Sequence, residues 1–600
     1  MLDTVLEVFL GLNRDLGGVH RYGPEKPIFD GTYKLPDMSD EVELLQSKGE
    51  TMKRYCLCVI LLGSLFLFGC GNQETNQKQT KQEGVTSSQS YQLPPNNPYL
   101  IQNSKYPSVH FNPAQSDVTD LPTWNNDITI SEANVKWLPW VTSIGTAHRP
   151  YAGGEEALFV AGTNKVGKIR ITDGDFSWVD EVMIPGFEYE TPPAEQITQT
   201  VEAMMAAGND EEQYLRLYAE HVKDIRQSSA NIAFGIYCVM DHEGNYFVGW
   251  ETSMFRVSDK TPGDVNSGIE ISRSFDLKDG LPPEEAAKIS RIMAVGMTYD
   301  GFIAVAMPGI IAVLDRDLGN MQYILLEGEA VDNGISIDDK DGIYLVTSKY
   351  MRKIVWDGKT LSDKEEDGAW KSEYDVVPNP KALSRGAGNT PALMGFGPNE
   401  DHLVFLADAG DDIKVAAFWR DEIPEDFEQK PGAKSRRIAD QLALTIDVPA
   451  TIEWSPHVYG DGVMMMASAW SDPVYDENGK LAIFETVLTA GVTREPPIGV
   501  EKWSWNKETR TLKSDWTKLR GLQWGLHPVS AASNTVTLTV LEDGIYSLLT
   551  VDWTTGEEIS TTILGNNPIF NTAGGIFIPI DRNRIYVTGV FGPVMMTKLK

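Results

Sequence analysis

Short apolar runs, each preceded by a polar turn, recur from residue 153 to the end of the chain. Eight segments share this form: GGEEALFVAG from Gly153, DHEGNYFVGW from Asp241, YDGFIAVAM from Tyr299, DKDGIYLVTS from Asp339, NEDHLVFLAD from Asn399, GDGVMMMASAW from Gly460, SNTVTLTVLEDG from Ser533 and DRNRIYVTGV from Asp581. Asp-Gly and other polar turns between alternating apolar runs predict β-hairpins. A third strand follows each pair, and in most sets a fourth follows, so the pattern predicts units of four strands.

Sets of four strands that repeat about eight times predict an all-β fold, a β-propeller of about eight blades, with seven blades as the alternative. We place this propeller at residues 134–600, after an N-terminal arm at 98–133. The last set stops after its third strand at Lys600. We therefore expect its fourth strand to come from the N-terminal side, within DITISEANVKW from Asp127.

One segment at residues 192–227 departs from the strand pattern. Its sequence, PPAEQITQTVEAMMAAGNDEEQYLRLYAEHVKDIRQ, carries apolar residues at helical spacing and is interrupted at Gly208 and Asn209. This spacing predicts two amphipathic helices. We expect a small helical insertion that packs over one face of the propeller.

An apolar run from Leu57 to Phe68 follows Met52-Lys53-Arg54 and ends at Gly69-Cys70. It is shorter than a membrane-spanning helix. A basic flank and a short apolar core are typical of a secretory signal, and a buried helix is the alternative. The ending resembles the lipobox of bacterial lipoproteins, and this resemblance implies lipidation of Cys70.

These features divide the N-terminal part of the chain. We expect residues 52–69 to be a lipoprotein signal peptide and residues 70–97, rich in polar residues, to be a flexible tether. Translation would then start at Met52, and residues 1–51 would be an over-called start; a cytoplasmic extension is the alternative. The predicted location is outside the cytoplasm, periplasmic or at the cell surface, with membrane contact through the lipid anchor only.

The chain has 600 residues and a formal net charge of -33, which argues against nucleic acid and anionic membrane surfaces as partners. Of its four cysteines, only Cys238 lies within the predicted propeller. The mature protein can therefore form no internal disulfide, and we expect Cys238 to be a small buried apolar residue.

Two segments resemble known propeller families. LTVDWTTGEEISTTILG from Leu549 resembles the blades of quinoprotein-type propellers, and NGISIDDKDGIYLVTS from Asn333 resembles the blade opening of calcium-dependent lactonases, in which the asparagine binds metal. The resemblance implies the architecture of most of residues 134–600. Quinone-dependent alcohol dehydrogenases often carry an adjacent-cysteine disulfide that is absent here, so we expect no bound quinone. The acidic ligands of the lactonases have no residue-by-residue match.

The first strand of each propeller blade lines the central channel, so residues leading into these strands are the candidates for chemistry. Polar residues precede every predicted first strand: His148, Asn231, Arg291, Asn333, Asn389 with Thr390, His457, His527, and Asn571 with Thr572. Three histidines from separate blades could hold one divalent metal, and the sequence leaves Ca, Cu, Fe and Zn open. The alternative is that these histidines form hydrogen bonds within the channel.

The sequence therefore predicts metal ligands at His148, His457 and His527. We expect Asn231, Asn333 and Thr390 to act on the substrate beside them. The predicted function is a metal-assisted enzyme that oxidises or hydrolyses a small organic substrate. A non-catalytic lipoprotein that binds a ligand or an envelope protein is the alternative.

Overall fold

The computed structural model describes residues 92–228, 235–379, 381–572 and 574–598. The chain divides into two units, Met1–Ser88 and Gln89–Lys600, and every described residue belongs to the second. The predicted signal peptide, residues 1–51, most of the tether, Cys70 and Asn231 lie outside the described residues. Within the described ranges, no helix is both long and apolar enough to span a membrane.

The repeated apolar runs form antiparallel sheets, and the described strands make eight of them. The N-terminal arm contributes β1 (Val118–Thr119) and β2 (Ile128–Thr129), and β3 (Val135–Trp137) follows directly after it. Sheet 1 contains β4 (Ser143–Pro150), β5 (Glu156–Gly162), β6 (Lys165–Arg170) and β7 (Ser177–Met183). Sheet 2 contains β8 (Cys238–Met240), β9 (Tyr246–Trp250), β10 (Ser253–Asp259) and β11 (Ile269–Asp276). Sheet 3 contains β12 (Ala294–Met297), β13 (Ile303–Met307), β14 (Ile310–Leu314) and β15 (Gln322–Leu325).

The remaining sheets follow in chain order. Sheet 4 contains β16 (Ile335–Ile337), β17 (Gly342–Val346), β18 (Tyr350–Trp356), β19 (Leu361–Ser362) and β20 (Trp370–Glu373). Sheet 5 contains β21 (Ala392–Met394), β22 (Leu403–Ala407), β23 (Lys414–Trp419) and β24 (Ile438–Ala443). Sheet 6 contains β25 (His457–Tyr459), β26 (Gly462–Met466), β27 (Ile498–Asn506) and β28 (Thr511–Gly521). Sheet 7 contains β29 (Val529–Ser530), β30 (Thr535–Glu542), β31 (Ile545–Asp552) and β32 (Glu558–Gly565), with β1 and β2 at its edges. Sheet 8 contains β33 (Phe577–Pro579), β34 (Arg584–Val587) and β35 (Val594–Thr597), with β3 as its fourth strand.

The first strands of successive sheets lie side by side, as β4 contacts β8, β8 contacts β12, β12 contacts β16 and β21 contacts β25. The outer strands contact one another in the same way, for example β7 with β11 and β24 with β28. This radial arrangement of four-stranded sheets is a β-propeller, so the predicted propeller fold is confirmed. Strands such as β13 are apolar along their whole length because both faces are buried against neighbouring sheets.

The N-terminal side supplies the missing strand of the last sheet, as predicted. β3 pairs antiparallel with β35, with Lys136 opposite Met595. The segment after β3 leads into sheet 1. It is also hydrogen-bonded to the chain of sheet 8, because the backbone N–H of Ser143 donates to the carbonyl of Gly589 at 3.1 Å. The two ends of the repeat are therefore joined.

The arm runs along the inner strands of the sheets. Its backbone forms hydrogen bonds with the first strands of six sheets, at His148, Cys238, Ile337, Leu393, Val458 and Val529, and the Asn97 side chain donates to the carbonyl of Met297 on a seventh. Because these bonds reach strands throughout the ring, the arm occupies one end of the central channel.

Helices occur where the sequence predicts them and at two further places. They are α1 (Ala194–Ala207), α2 (Glu211–Ser228), α3 (Pro283–Ala286) and α4 (Ile483–Thr489). Short 3-10 turns lie at Glu132–Asn134, Ala152–Gly154, Thr172–Gly174, Leu277–Gly280, Glu365–Asp367 and Pro568–Phe570. The buried faces of α1 and α2 pack in one apolar cluster with residues of α4 and sheet 8. An ion pair of 2.8 Å between Glu211 and Arg494 also fixes α2 to the β26–β27 connection.

Candidate functional site

A cavity of about 670 Å³ lies where the chain leads into the first strands. Each of the eight sheets contributes a lining residue: Ile144 lies at the start of β4, and the other seven precede the first strands of their sheets, namely Tyr237, Arg291, Asn333, Arg385, Glu453, Trp524 and Gly574. Arg226 of α2 and a stretch between β26 and β27 that includes Lys480 and Phe484 complete the wall. The helical insertion therefore takes part in the cavity.

Glu453 is the most strongly perturbed acid of this cavity. Burial raises the pKa of its carboxyl to about 7, although hydrogen bonds from two hydroxyl groups favour the charged form and lower the pKa. Ser384 Oγ donates to Oε2 at 2.6 Å and Thr451 Oγ1 donates to Oε1 at 2.5 Å. The backbone of Glu453 is held as well, because the Glu453 N–H donates to Ser468 Oγ at 2.7 Å. A fixed carboxyl that titrates near neutral pH can both give and accept a proton.

Charged groups line the cavity in pairs. Arg385 donates through its Nε to Asp332 at 3.1 Å, and Arg226 lies 2.5 Å from Glu485 on α4. Arg291 also faces the cavity, and burial lowers the pKa of its guanidinium. The wall thus carries charges of both signs.

Tryptophans form an apolar part of the wall. The rings of Trp454 and Trp524 lie 5.3 Å apart, and Trp470 packs on Trp524 at the same distance. The Nε1 atoms of all three have no hydrogen-bond partner within the described ranges. Aromatic faces beside polar donors are typical of small-molecule sites.

The structure brings Asn333 and Thr390 together, although they lie in different sheets. Thr390 Oγ1 donates to Asn333 Oδ1 at 3.1 Å, and the Tyr237 hydroxyl bonds to both side chains. Asn333 Nδ2 donates to the carbonyl of Glu453 at 2.9 Å. Tyr237, Asn333 and Glu453 line the cavity, whereas Thr390 does not. Asn333 and Thr390 therefore cross-link the lead-in segments and position Glu453.

The predicted three-histidine metal centre is not found. The rings of His457 and His527 lie 6.0 Å apart. His148 instead accepts a hydrogen bond from the Lys105 backbone and lies 3.5 Å from Glu156. Among the residues that the structure describes, no three His, Cys, Asp or Glu are grouped as a metal ion would require.

The three histidines do not line the cavity, and their position along the chain explains why. The lining residues Ile144, Trp454 and Trp524 precede the three histidines by three or four positions. At about 3.3 Å per strand residue, this places the histidines roughly 10 Å deeper in the channel, at the level of the arm. Burial accordingly lowers the pKa of His457, and that of His527 to about 3.

Sequence reasoning missed Glu453 and Trp454, although both stand directly before a predicted first strand in TIEWSPHVYG. It also missed the part of the arm that meets sheet 6. The expectation for Cys238 is confirmed: it lies buried in β8, and burial raises the pKa of its thiol to about 12.

No family model matches the chain. An uncharacterized protein of Archaeoglobus fulgidus is 28% identical over 322 residues, which cover 51% of this chain and 59% of that protein. The match thus spans less than two thirds of that relative.

Several solved structures are similar to this chain, with low sequence identity and low TM-scores. The quinohemoprotein alcohol dehydrogenase of Comamonas testosteroni is 10% identical, with 82% of this chain and 80% of that chain covered and a TM-score of 0.45. A europium-containing methanol dehydrogenase is 10% identical, with 81% and 90% covered and a TM-score of 0.45. A putative 6-phosphogluconolactonase of Bacteroides fragilis NCTC 9343 is 9% identical, with 70% and 98% covered and a TM-score of 0.34. Similarity at this level carries no functional argument, and the fold follows from the chain's own strand pairing.

Proposed function

We propose that this protein is an exported, lipid-anchored propeller of eight blades that binds and converts a small organic molecule in its central cavity. One observation carries the proposal: residues at or just before the first strands of all eight sheets line one cavity of about 670 Å³. This volume lies in the range of small-molecule sites, which are also typically lined by aromatic residues and a few fixed polar groups.

The chemistry we assign to the cavity is proton transfer by Glu453. Its carboxyl is held by Ser384 and Thr451, and its pKa of about 7 suits a general acid or base at neutral pH. The substrate would place an apolar part on Trp454 and Trp524 and polar groups toward Arg291 and Arg385. The proposal needs no metal ion.

The test is a thermal unfolding screen of the purified protein against small organic acids, alcohols, esters and lactones. We expect at least one class to raise the unfolding temperature, and we expect Trp454→Ala to lose this effect. Ala531, which packs between sheets 6 and 7 away from the cavity, provides a control as Ala531→Ser. No stabilisation by any class, or equal stabilisation of the Trp454 variant, would refute the cavity as the binding site.

Binding without conversion is the second candidate, favoured because the packed Trp454 and Trp524 rings and the ion-paired Arg385 can hold a ligand without reacting with it. The enzymatic function and the binding function make different predictions for a Glu453 variant. Glu453→Gln should abolish conversion of a stabilising compound and leave its binding nearly intact. If the wild type binds such a compound and never converts it, the binding function replaces the enzymatic one.

Export and anchoring rest on the sequence from Met52 to Cys70. Mass spectrometry of the membrane-extracted protein should find a chain that begins at a lipidated Cys70. Cys70→Ser should accumulate with its signal peptide attached. An unmodified chain that still carries Met52 would refute this part of the proposal.

A further inference from the structure

Three buried side chains below the cavity form a linear hydrogen-bonded series. Asp117 and His110 lie on the arm, and Ser455 lies in the lead-in segment of sheet 6. His110 Nδ1 is 2.9 Å and 3.0 Å from the two carboxylate oxygens of Asp117, and His110 Nε2 is 3.2 Å from Ser455 Oγ.

The chemistry of the three groups fixes the direction of these bonds. An ionised carboxylate can only accept, so Nδ1 of the neutral imidazole carries the proton that Asp117 accepts. Nε2 is then left as the acceptor for the Ser455 hydroxyl. This order of acid, imidazole and hydroxyl, with each nitrogen in its required role, is that of a serine nucleophile activated by histidine.

The surroundings hold the series in place. Asp117, His110 and Ser455 are all 2% exposed or less. The backbone N–H of His110 donates to the Tyr106 hydroxyl at 3.0 Å, and the carbonyl of Asp117 accepts from the N–H of Val529 at 2.9 Å. The backbone at His110 and Asp117 is therefore held by one bond within the arm and one bond to sheet 7.

The arm adopts unusual backbone conformations at this site. His110 has φ 59° and Asp117 has φ 58°, and both are non-glycine residues in the left-handed region. Such conformations are unfavourable for non-glycine residues and concentrate at functional sites. The surrounding contacts thus stabilise a geometry that the isolated arm would disfavour.

We propose that Ser455 is a nucleophile, activated by His110 and positioned by Asp117, that attacks small carboxylic esters. This inference rests on the proposed function for access, because an ester would reach Ser455 through the cavity. Glu453 and Trp454, the two residues before Ser455, both line that cavity. The Trp454 indole is a wall of this cavity, and no hydrogen bond to a described residue holds its Nε1.

The reaction balances with water as the second substrate. The Ser455 oxygen bonds to the carbonyl carbon while its proton moves to His110 Nε2. The carbon–oxygen bond to the alcohol breaks, and the alcohol leaves with the proton from His110. Water then attacks the acyl carbon while its proton moves to His110 Nε2. The bond between the acyl carbon and the Ser455 oxygen breaks, His110 returns the proton to that oxygen, and the carboxylic acid and free serine are released.

The test uses a small alkyl fluorophosphonate on the purified full chain, read by peptide mass spectrometry. Attack by Ser455 would form an oxygen–phosphorus bond and release fluoride, and the hydroxyl proton would pass to His110. We expect one adduct, on Ser455, that is absent in Ser455→Ala. Asp117→Asn, which keeps the size of the side chain, should label at least about 10³-fold more slowly.

A matched control is Ser336→Ala, since the Ser336 hydroxyl is also buried but contacts no histidine among the described residues. Its labelling should equal that of the wild type, and unfolding curves should show that each variant folds. No adduct on Ser455 in the wild type overturns the proposal, as does equal labelling of Asp117→Asn. If ligands still stabilise the protein in that case, the nucleophile fails while the proposed cavity function stands.

Discussion

Replacing Glu453 with glutamine should change how stability depends on pH. The pKa of this carboxyl is about 7 in the folded protein and 4.5 for an unperturbed glutamate. Because the folded value is the higher one, the protonated form stabilises the fold fully below pH 4.5, and this contribution is lost as the pH rises to 7. The difference corresponds to about 3 kcal/mol of unfolding free energy.

The assay is urea unfolding of the wild type and Glu453→Gln between pH 4.5 and 8. Asp341 and Asp408, whose pKa values burial also raises to about 6, contribute equally to both proteins and cancel in the comparison. We expect the variant to gain stability relative to the wild type by up to about 1.4 kcal/mol per pH unit between pH 4.5 and 7, with no further gain above. A difference that does not change with pH would refute the assigned pKa.

A second variant tests the cause of the shift. Ser384 Oγ donates to Glu453 Oε2 and favours the ionised form. Ser384→Ala should therefore move the upper end of the pH transition above 7. A transition that moves to lower pH would contradict the hydrogen-bond assignment.

Three further predictions concern residues in or near the first strands of the sheets. Gly388→Ala should destabilise the protein by about 1–3 kcal/mol in urea unfolding, because its Cβ would lie 2.2 Å from Glu453 Oε2; an unchanged midpoint would contradict this contact. Asn333→Ala should cost about 1–3 kcal/mol in the same assay, since it leaves the buried Thr390 hydroxyl and the Glu453 carbonyl without their shared partner; a stable variant that loses only ligand conversion would restore a direct role in chemistry. Cys238 should resist iodoacetamide in the native protein at pH 8 and react on unfolding, because burial raises the pKa of its thiol to about 12; rapid native alkylation, read at the Cys238 peptide, would show that β8 is accessible.

The strands could be predicted because their signal is local. Asp-Gly turns and fully apolar runs such as IAVAM at β13 identify each hairpin by themselves. Even the pairing of β3 with β35 followed from counting the strands of the last set. The helical insertion was found for the same reason, since apolar spacing within 36 residues specifies both helices.

The path of the arm could not be predicted, because it depends on backbone bonds to distant strands. The carbonyls of Pro113, Ala114 and Ser116 accept from Ile337, Leu393 and Val458, more than 200 residues away. Backbone groups are the same in every residue, so these pairings leave no pattern in the sequence. The depth of the histidines depended on the same missing information, since the arm occupies the level at which they lie.

The lead-in segment of sheet 6 differs from the other seven in what it carries. Glu453, Trp454, Ser455 and His457 fall within five residues, and they reach the cavity, the arm and the neighbouring His527. The other lead-in segments give the cavity its shape and its charge pairs. β25 itself spans only three residues, His457–Tyr459, so the conformation of this segment depends on Asn333, Ser468 and the arm more than on its own strand. Changes at Glu453 or Ser455 should therefore alter the chemistry while the ring stays folded, because most of its stability comes from the apolar contacts between sheets.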